Sequence, residues 1–211
     1  MNYVYFDFDG TIADSFKLGI EIVNYLAPKY NFKTVDMSKI EYYKSLSSQE
    51  MIKEFKVPLI KIPILAPIFK IEMNKRIEQL QPVGGAPEML KEFSDTYYIG
   101  ILTSNTTENV EHFLLKHNLK QYISDVRSEF QVFGKHISLK KIIKSHKIKN
   151  HQIIYVGDET RDIEASNKAK IKSVAVTWGF NSEKALKKFN PYGIANSTQE
   201  IVDFVNGYFK E

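Results

Sequence analysis

The chain has 211 residues, of which 43% are hydrophobic and 26% are charged, a composition typical of a globular protein with one α/β domain or such a domain with an insertion. Its net charge of +4 comes from 29 basic and 25 acidic residues, and the scattered lysines lack the basic block or aromatic platform of a nucleic-acid binder. The chain has no cysteine, which excludes disulfides, thiolate catalysis and cysteine-based zinc sites.

The first predicted element is a short strand that ends in two aspartates. Residues 3–6 are aromatic or β-branched, as in a buried strand, and Asp7 and Asp9 follow directly. In a regular strand these two carboxylates would share one face, with Phe8 opposite, and Gly10 would allow a sharp turn. Because two carboxylates are costly to bury without a cation, the pair indicates a divalent metal. The alternative interpretation is a strand that ends in an Asx turn.

Residues 15–82 show helical periodicity and contain no good strand, so we interpret them as a helical insertion. Asp14 and Ser15 stand where a cap of the first helix belongs, and we expect that helix to end at Pro28. Residues 57–67 are interrupted by prolines and are predicted to connect two helices.

From residue 83 onward, short apolar strands alternate with helices. The later strands are predicted at residues 97–102, 123–126, 152–156, 173–177 and 192–195. The helices are predicted at residues 86–93, after residue 107 to near residue 118, from about 138 to 145, at 163–169 and from about 198 onward. Such alternation indicates βαβ units, and therefore an α/β fold with a parallel sheet and helices on both faces.

Polar side chains follow three of the predicted strands. They are Asp7 and Asp9, Thr103 and Ser104, and Asp158. The carboxyl ends of parallel strands lie at one edge of the sheet, so these residues are predicted to form one site. Asp162 follows Asp158 by four residues, which places both on one side of a helix start. Four carboxylates would repel one another strongly, and a hard cation such as Mg²⁺ would relieve that repulsion.

Four segments resemble, in order, the motifs of the haloacid dehalogenase (HAD) superfamily of phosphotransferases, and the match covers essentially the whole chain. They are residues 7–15 (DFDGTIADS), residues 99–105 (IGILTSN), the pair Gly134-Lys135, and residues 156–163 (VGDETRDI). The insertion resembles the helical C1 cap of the phosphoglycolate phosphatase-like branch. The resemblance implies a Rossmann-like three-layer core, residues 1–14 and 83–211, with a helical cap domain, residues 15–82.

The resemblance also implies catalytic roles. Asp7 would be the nucleophile that forms an aspartyl-phosphate, and Asp9 the general acid and base. Thr103 would hold phosphoryl oxygens, and Lys135 would neutralise charge on the phosphoryl group and on Asp7. The family often has Lys-Pro where this chain has Lys135-His136, which makes the subfamily harder to assign but leaves the chemistry untouched.

Binding roles follow in the same way. Mg²⁺ would be held by Asp7, Asp9, Asp158 and Asp162, with Asp9 contributing its backbone carbonyl and Asp162 acting through water or an indirect contact. The residues expected to contact substrate are Gly10, Ser104, Asn105 and Lys44. Lys44 is expected near a cap loop that faces the site, where it is the best candidate to bind an anionic group such as a carboxylate. The alternative interpretation is an ordinary surface lysine.

The function implied is a Mg²⁺-dependent phosphatase for a small phosphorylated metabolite, similar to phosphoglycolate. A sugar-phosphate phosphomutase is the main alternative. A haloalkanoic acid dehalogenase is disfavoured because it would lack Asp9, and a non-catalytic regulatory protein because it would be expected to have lost Asp7 or Asp9. No apolar run reaches the length of a membrane span, and we expect a cytoplasmic monomer or homodimer that binds neither nucleic acid nor membrane.

Overall fold

Six parallel strands form the sheet at the centre of the molecule. The computed structural model describes residues 1–129 and 134–210, and in this part the strand order is β3-β2-β1-β4-β5-β6. The strands are β1 (Tyr3–Phe6), β2 (Tyr98–Thr103), β3 (Asp125–Ser128), β4 (Ile153–Gly157), β5 (Lys172–Val176) and β6 (Gly193–Ala195). All neighbouring strands pair in parallel, as predicted. The order changes direction at β1, which makes the carboxyl end of β1 the expected ligand-binding position.

Helices cover both faces of this sheet. The helices are α1 (Phe16–Tyr30), α2 (Ile40–Lys44), α3 (Ser48–Glu54), α4 (Ile62–Asn74), α5 (Ala86–Ser94), α6 (Thr107–Lys116), α7 (Lys135–Ser145), α8 (Thr160–Ala169), α9 (Glu183–Lys187) and α10 (Thr198–Lys210). Side chains alternate along β1, so Val4 and Phe6 pack with α5, α6 and α10 while Tyr5 packs with α7 and α8. The predicted three-layer α/β core is therefore confirmed. Within the described residues, no helix combines the length and apolarity needed to cross a bilayer.

The helices α1–α4 all lie in residues 15–82, a segment without a β-strand. The chain leaves and re-enters the core at adjacent points, where Ala13 pairs with Pro82. Two backbone hydrogen bonds flank this pair, from Asp14 N–H to the Gln81 carbonyl at 2.9 Å and from Val83 N–H to the Ile12 carbonyl at 2.8 Å. The helical segment is thus tied to the sheet through two neighbouring connections.

Two local predictions in this segment are wrong, and a third is confirmed in position only. The helix α1 continues past Pro28 to Tyr30, because a proline in the last turn removes only one backbone hydrogen bond. The helix α4 begins at Ile62 and includes two prolines, one in its first turn where the missing N–H costs nothing. Ser15 stands at the start of α1, but among the described residues its hydroxyl makes no capping bond.

Candidate active site

Asp7 lies directly after β1 with a buried carboxylate. One oxygen, Oδ1, accepts a hydrogen bond from the backbone N–H of Phe8 at 2.8 Å. The other, Oδ2, accepts one from Lys135 Nζ at 2.7 Å. Lys135 is the first residue of α7, so the prediction of a helix that starts only near Ser138 is wrong. The earlier start fixes the lysine at the end of a rigid element beside Asp7.

Asp158 and Asp162 are both buried at the junction of β4 and α8. Asp158 Oδ1 accepts a hydrogen bond from Thr11 Oγ1 at 3.0 Å, and its Oδ2 accepts one from the Phe180 N–H at 2.7 Å. Asp162 Oδ2 accepts one from the Glu159 N–H at 3.1 Å. These bonds fix the orientation of both carboxylates before any ligand arrives.

The carboxylates of Asp7, Asp158 and Asp162 come together at this edge of the sheet. One oxygen from each lies within 4.8 Å of the others. Lys135 Nζ contacts two of the three, Asp7 at 2.7 Å and Asp162 at 2.5 Å. Among the described residues the Asp9 carboxylate does not join this group. Three buried oxygen donors against one ammonium fit a hard divalent cation such as Mg²⁺.

The pKa shifts in this cluster also favour a bound cation. Burial raises the pKa of Asp7 to about 7, although the positive charge of Lys135 opposes the increase. Burial also raises the pKa of Asp158, and the neighbouring charge of Glu159 adds to the effect. Burial alone would lower the pKa of Lys135, but Asp162 and Asp7 outweigh it and raise the pKa to about 12. The lysine therefore stays charged, while the carboxylates are crowded beyond what one lysine compensates.

Asp9 has different surroundings from Asp7, although only Phe8 separates them. Its Oδ2 accepts a hydrogen bond from Asn105 Nδ2 at 3.2 Å, and among the described residues its buried Oδ1 accepts none. Burial raises the pKa of Asp9, so this carboxyl holds a proton more readily than an exposed aspartate. A carboxyl group of this kind is suited to proton transfer.

The segment after β2 supplies the polar groups opposite Asp9. Thr103 is buried, and its Oγ1 accepts a hydrogen bond from the Asn105 N–H at 3.0 Å, which leaves the hydroxyl proton available to a ligand. Asn105 is held by the Thr106 N–H, which donates to its Oδ1 at 2.8 Å. Ser104 and Asn105 line the same cavity as Asp9. The predicted second motif thus meets the first at the carboxyl edge of the sheet.

Gly10 makes the close packing of this edge possible. Its φ is +74°, a left-handed conformation that glycine adopts without strain. A Cβ atom at this position would lie 2.4 Å from Asp158 Oδ2. A larger residue would therefore displace one of the three clustered carboxylates.

Lys44 and Lys70 lie in two neighbouring cavities. Lys44 lines an apolar cavity of about 350 Å³ among the helices of the 15–82 segment, and its Nζ lies 4.9 Å from the centre of the Phe16 ring. A second cavity of about 580 Å³ is lined by Asp9, and here the cations are Lys70 and Arg161. Among the described residues, Lys44 does not line this second cavity.

Sequence reasoning missed both Lys70 and Arg161. Lys70 lies within the helical periodicity of α4, where nothing in the sequence shows which way a lysine faces. Arg161 had a detectable signal, because it is the residue before Asp162 within the fourth motif. Its guanidinium Nη2 donates to Glu159 Oε1.

The chain is similar in sequence and in fold to several known proteins. The chain is 27% identical to the phosphoglycolate phosphatase of Synechococcus elongatus, over 100% of both chains. It is 23% identical to the pyrophosphatase PpaX of Bacillus mycoides, over 98% of this chain and 97% of that one. The crystal structure of a predicted phosphatase from Clostridium acetobutylicum superposes with a TM-score of 0.81 at 22% identity, over 98% of both chains, which shows a shared fold.

The family model for haloacid dehalogenase-like hydrolases matches residues 4–176. This range spans β2–β5 and nearly all of β1, and it includes the clustered carboxylates, Asp9, Thr103 and Lys135. The chain therefore belongs to the haloacid dehalogenase-like hydrolase family.

Proposed function

We propose that this chain is a Mg²⁺-dependent phosphatase that hydrolyses a small phosphomonoester, similar to phosphoglycolate, through an aspartyl-phosphate on Asp7. The observation that carries the proposal is the contrast between two neighbouring aspartates. Asp7 is held by Lys135 within the carboxylate cluster, whereas Asp9 lines a cavity and has a raised pKa. Two carboxyl groups in unlike surroundings suit the two roles of nucleophile and proton carrier.

In the first step, an Asp7 carboxylate oxygen attacks phosphorus and forms a new P–O bond. The ester P–O bond to the leaving alcohol breaks, and Asp9 donates its proton to the departing oxygen. In the second step, Asp9 takes a proton from a water molecule that attacks the phosphorus, and the bond to Asp7 breaks. Inorganic phosphate leaves, and Asp7 and the protonated Asp9 are restored.

Two further residues act on the phosphoryl group in this scheme. Lys135 keeps its positive charge beside Asp7 and stabilises the negative charge that spreads over the phosphoryl oxygens. The Thr103 hydroxyl donates to one of these oxygens, since its own oxygen already accepts a backbone hydrogen bond. Both groups are buried and pre-oriented, so little reorganisation accompanies the reaction.

The residues that would hold Mg²⁺ are Asp7, Asp158 and Asp162, together with the backbone carbonyl of Asp9. When bound, the ion supplies positive charge that lets an anionic carboxylate approach an anionic phosphate ester. Its contribution adds to that of Lys135, which contacts two of the three carboxylates.

Residues 15–82 would serve as a cap domain over this site. The paired connections at Ala13 and Pro82 are suitable for a hinge, and α4 of the cap forms one wall of the cavity beside Asp9. That wall is mostly apolar, which favours a short leaving group over a sugar with many hydroxyl groups. The phosphomutase alternative is disfavoured for the same reason. A cytoplasmic location and a monomeric or homodimeric state stay predictions.

The first test is hydrolysis of an aryl phosphate by the purified protein with and without Mg²⁺, beside the Asp7→Asn variant. We expect metal-dependent phosphate release that falls at least about 1000-fold in the variant. The matched control is Asp125→Asn, which neutralises an aspartate outside the carboxylate cluster and should keep activity within about threefold.

Substantial activity in Asp7→Asn would exclude this residue as the nucleophile. If the wild-type protein releases no phosphate from the aryl ester, phosphoglycolate and sugar phosphates are tested next. Failure with all of these esters in the presence of Mg²⁺ would reject the phosphatase proposal.

A further inference from the structure

The cavity beside Asp9 contains two cationic side chains from different parts of the chain. Lys70 comes from α4 in the helical segment, and Arg161 comes from the first turn of α8 in the core. Most of the remaining wall of this 580 Å³ cavity is apolar, with contributions from Ile62, Ala66, Phe69 and Met73. Charges in such a setting attract an anion more strongly than surface lysines do, because less water screens them.

Unpartnered polar atoms concentrate around the same cavity. Six buried side-chain atoms in the described residues lack a hydrogen-bond partner, and three of them belong to residues that line this cavity. These are Asp9 Oδ1, Asn74 Oδ1 and Arg161 Nε. Buried polar atoms are rarely left unpaired, so the clustering indicates a place prepared for a polar ligand.

The two cations also interact with each other across this space. Burial lowers the pKa of Lys70, and the positive charge of Arg161 lowers it further, while Asp9 and Glu129 act in the opposite direction. Lys70 therefore lies within electrostatic range of both Arg161 and Asp9. An anion placed near both cations would relieve their mutual repulsion.

We propose that Lys70 and Arg161 bind a carboxylate on the leaving-group side of the substrate, so that the enzyme selects phosphate esters of short hydroxy acids. This inference rests on the proposed phosphatase function. A planar guanidinium matches a carboxylate, and Arg161 Nε is the donor still available, because Nη2 is bound to Glu159. The apolar wall suits the short carbon chain between the two anionic groups.

The position of Lys70 gives it the role expected for Lys44. Lys44 lies over Phe16 in the neighbouring apolar cavity, away from Asp9, whereas Lys70 shares a cavity with Asp9. Substrate selection would thus depend on a cap residue in α4 and a core residue in α8. Both cations reach the substrate only when the cap and the core meet around it.

The test compares 2-phosphoglycolate with ethyl phosphate, which has a similar size and no carboxylate. We expect the ratio of their kcat/KM values to fall about 10- to 100-fold in Lys70→Met, while ethyl phosphate turnover changes less than about threefold. Lys70→Arg should keep most of the preference. The control is Lys53→Met, which removes an exposed lysine of α3 in the same segment and should leave the ratio unchanged. Because each ratio compares two esters on one enzyme, partial misfolding cancels.

A binding measurement separates this inference from the proposed function. Calorimetric titration of the Asp7→Asn variant with each ester requires no turnover, and we expect tighter binding of 2-phosphoglycolate, lost when Lys70→Met is added. Preferential binding without hydrolysis in the wild type would reject the phosphatase function and support the carboxylate site. Hydrolysis of both esters without a preference would support the phosphatase function and reject the carboxylate site. A stronger preference for pyrophosphate than for 2-phosphoglycolate would also overturn the carboxylate assignment.

Discussion

Two clusters of ionisable side chains lie at opposite ends of α7, and they differ in how their charges are balanced. The carboxylate cluster, formed by Asp7, Asp158, Asp162 and Lys135, lies at the beginning of the helix. The Tyr5 cluster, formed by Tyr5, Asp125, Arg127 and His146, lies at its end. The first has three carboxylates for one lysine, whereas the second pairs one carboxylate with one guanidinium.

The Tyr5 cluster satisfies its own hydrogen-bonding groups. The Tyr5 hydroxyl donates to Asp125 Oδ2 at 2.7 Å, and Arg127 Nε donates to the same oxygen at 2.5 Å. Tyr5 reaches β3 from β1 by crossing Gly100 of β2, which pairs with Tyr5 on one side and with Asp125 on the other. Burial raises the pKa of Tyr5, and the hydrogen bond to Asp125 adds to the increase, so the phenol stays neutral.

The difference between the clusters separates a structural role from a functional one. A cluster that pairs its charges internally fixes the packing of β1, β2 and β3 and needs no ligand. A cluster with excess buried charge costs free energy that a bound cation recovers, and such sites are typical of functional residues. The presence of charge alone does not distinguish the two cases, because both clusters contain charged side chains, although Asp125 and Arg127 are only partly buried. Charge balance does distinguish them.

The largest expected effect comes from removing one cation from each cluster. Lys135→Met should lower kcat about 100- to 1000-fold, because the phosphoryl group and Asp7 lose the charge that stabilises them. Arg127→Met should leave kcat within about twofold, although it breaks the ion pair with Asp125. Steady-state kinetics of both variants with an aryl phosphate checks this difference. Equal losses of kcat would mean that the two clusters act as one unit.

Metal binding should affect one cluster only. Mg²⁺ at 100 times its Kd should stabilise the folded protein by about 2.7 kcal/mol, because the ion binds the native carboxylates and not the unfolded chain. Thermal melts with and without Mg²⁺ measure this shift. We expect the shift to disappear in Asp158→Asn and to persist in Asp125→Asn. An identical shift in both variants would place the metal elsewhere.

The packing of the Tyr5 cluster can be tested at Gly100. A Cβ atom there would lie 2.2 Å from Tyr5 Cε1, so Gly100→Ala should destabilise the fold by about 1–3 kcal/mol. The control is Gly207→Ala in α10. Among the described residues, nothing apart from the helix's own backbone and the adjacent residues lies within 4 Å of the added carbon, so this change should stabilise by about 0.5–1 kcal/mol. Urea denaturation measures both changes. If Gly100→Ala does not change the free energy of unfolding, the position of Tyr5 does not require a glycine at residue 100.

The sequence was sufficient to predict the fold and the edge of the sheet at which these polar side chains meet. Alternating strands and helices imply a parallel sheet, and a parallel sheet brings Asp7, Thr103 and Asp158 to one edge without any knowledge of side-chain packing. The strand positions agree with the structure to within about two residues for the same reason, since each strand is a short apolar run between turns.

The features that the sequence did not reveal all depend on tertiary packing. Lys44 in α2 and Lys70 in α4 are both lysines in helices of the insertion, and only the packing of these helices decides which cavity each one lines. The helix α1 tolerates Pro28 because the proline falls in its last turn, a position that depends on where the helix finally ends. The Tyr5 cluster joins residues from two strands and one helix end, and each of these residues alone resembles an ordinary polar side chain.

The smallest expected effect comes from Tyr5→Phe, which tests whether the two clusters are independent of each other. Tyr5→Phe removes one hydroxyl from the Tyr5 cluster and leaves Asp125 bonded to Arg127, so it should cost about 0.5–1.5 kcal/mol of stability. The value of kcat should not change, because no described hydrogen bond links Tyr5 to the carboxylate cluster. A loss of kcat with unchanged stability would instead show that α7 transmits the state of the Tyr5 cluster to Lys135. The two clusters would then differ in charge balance, but both would contribute to catalysis.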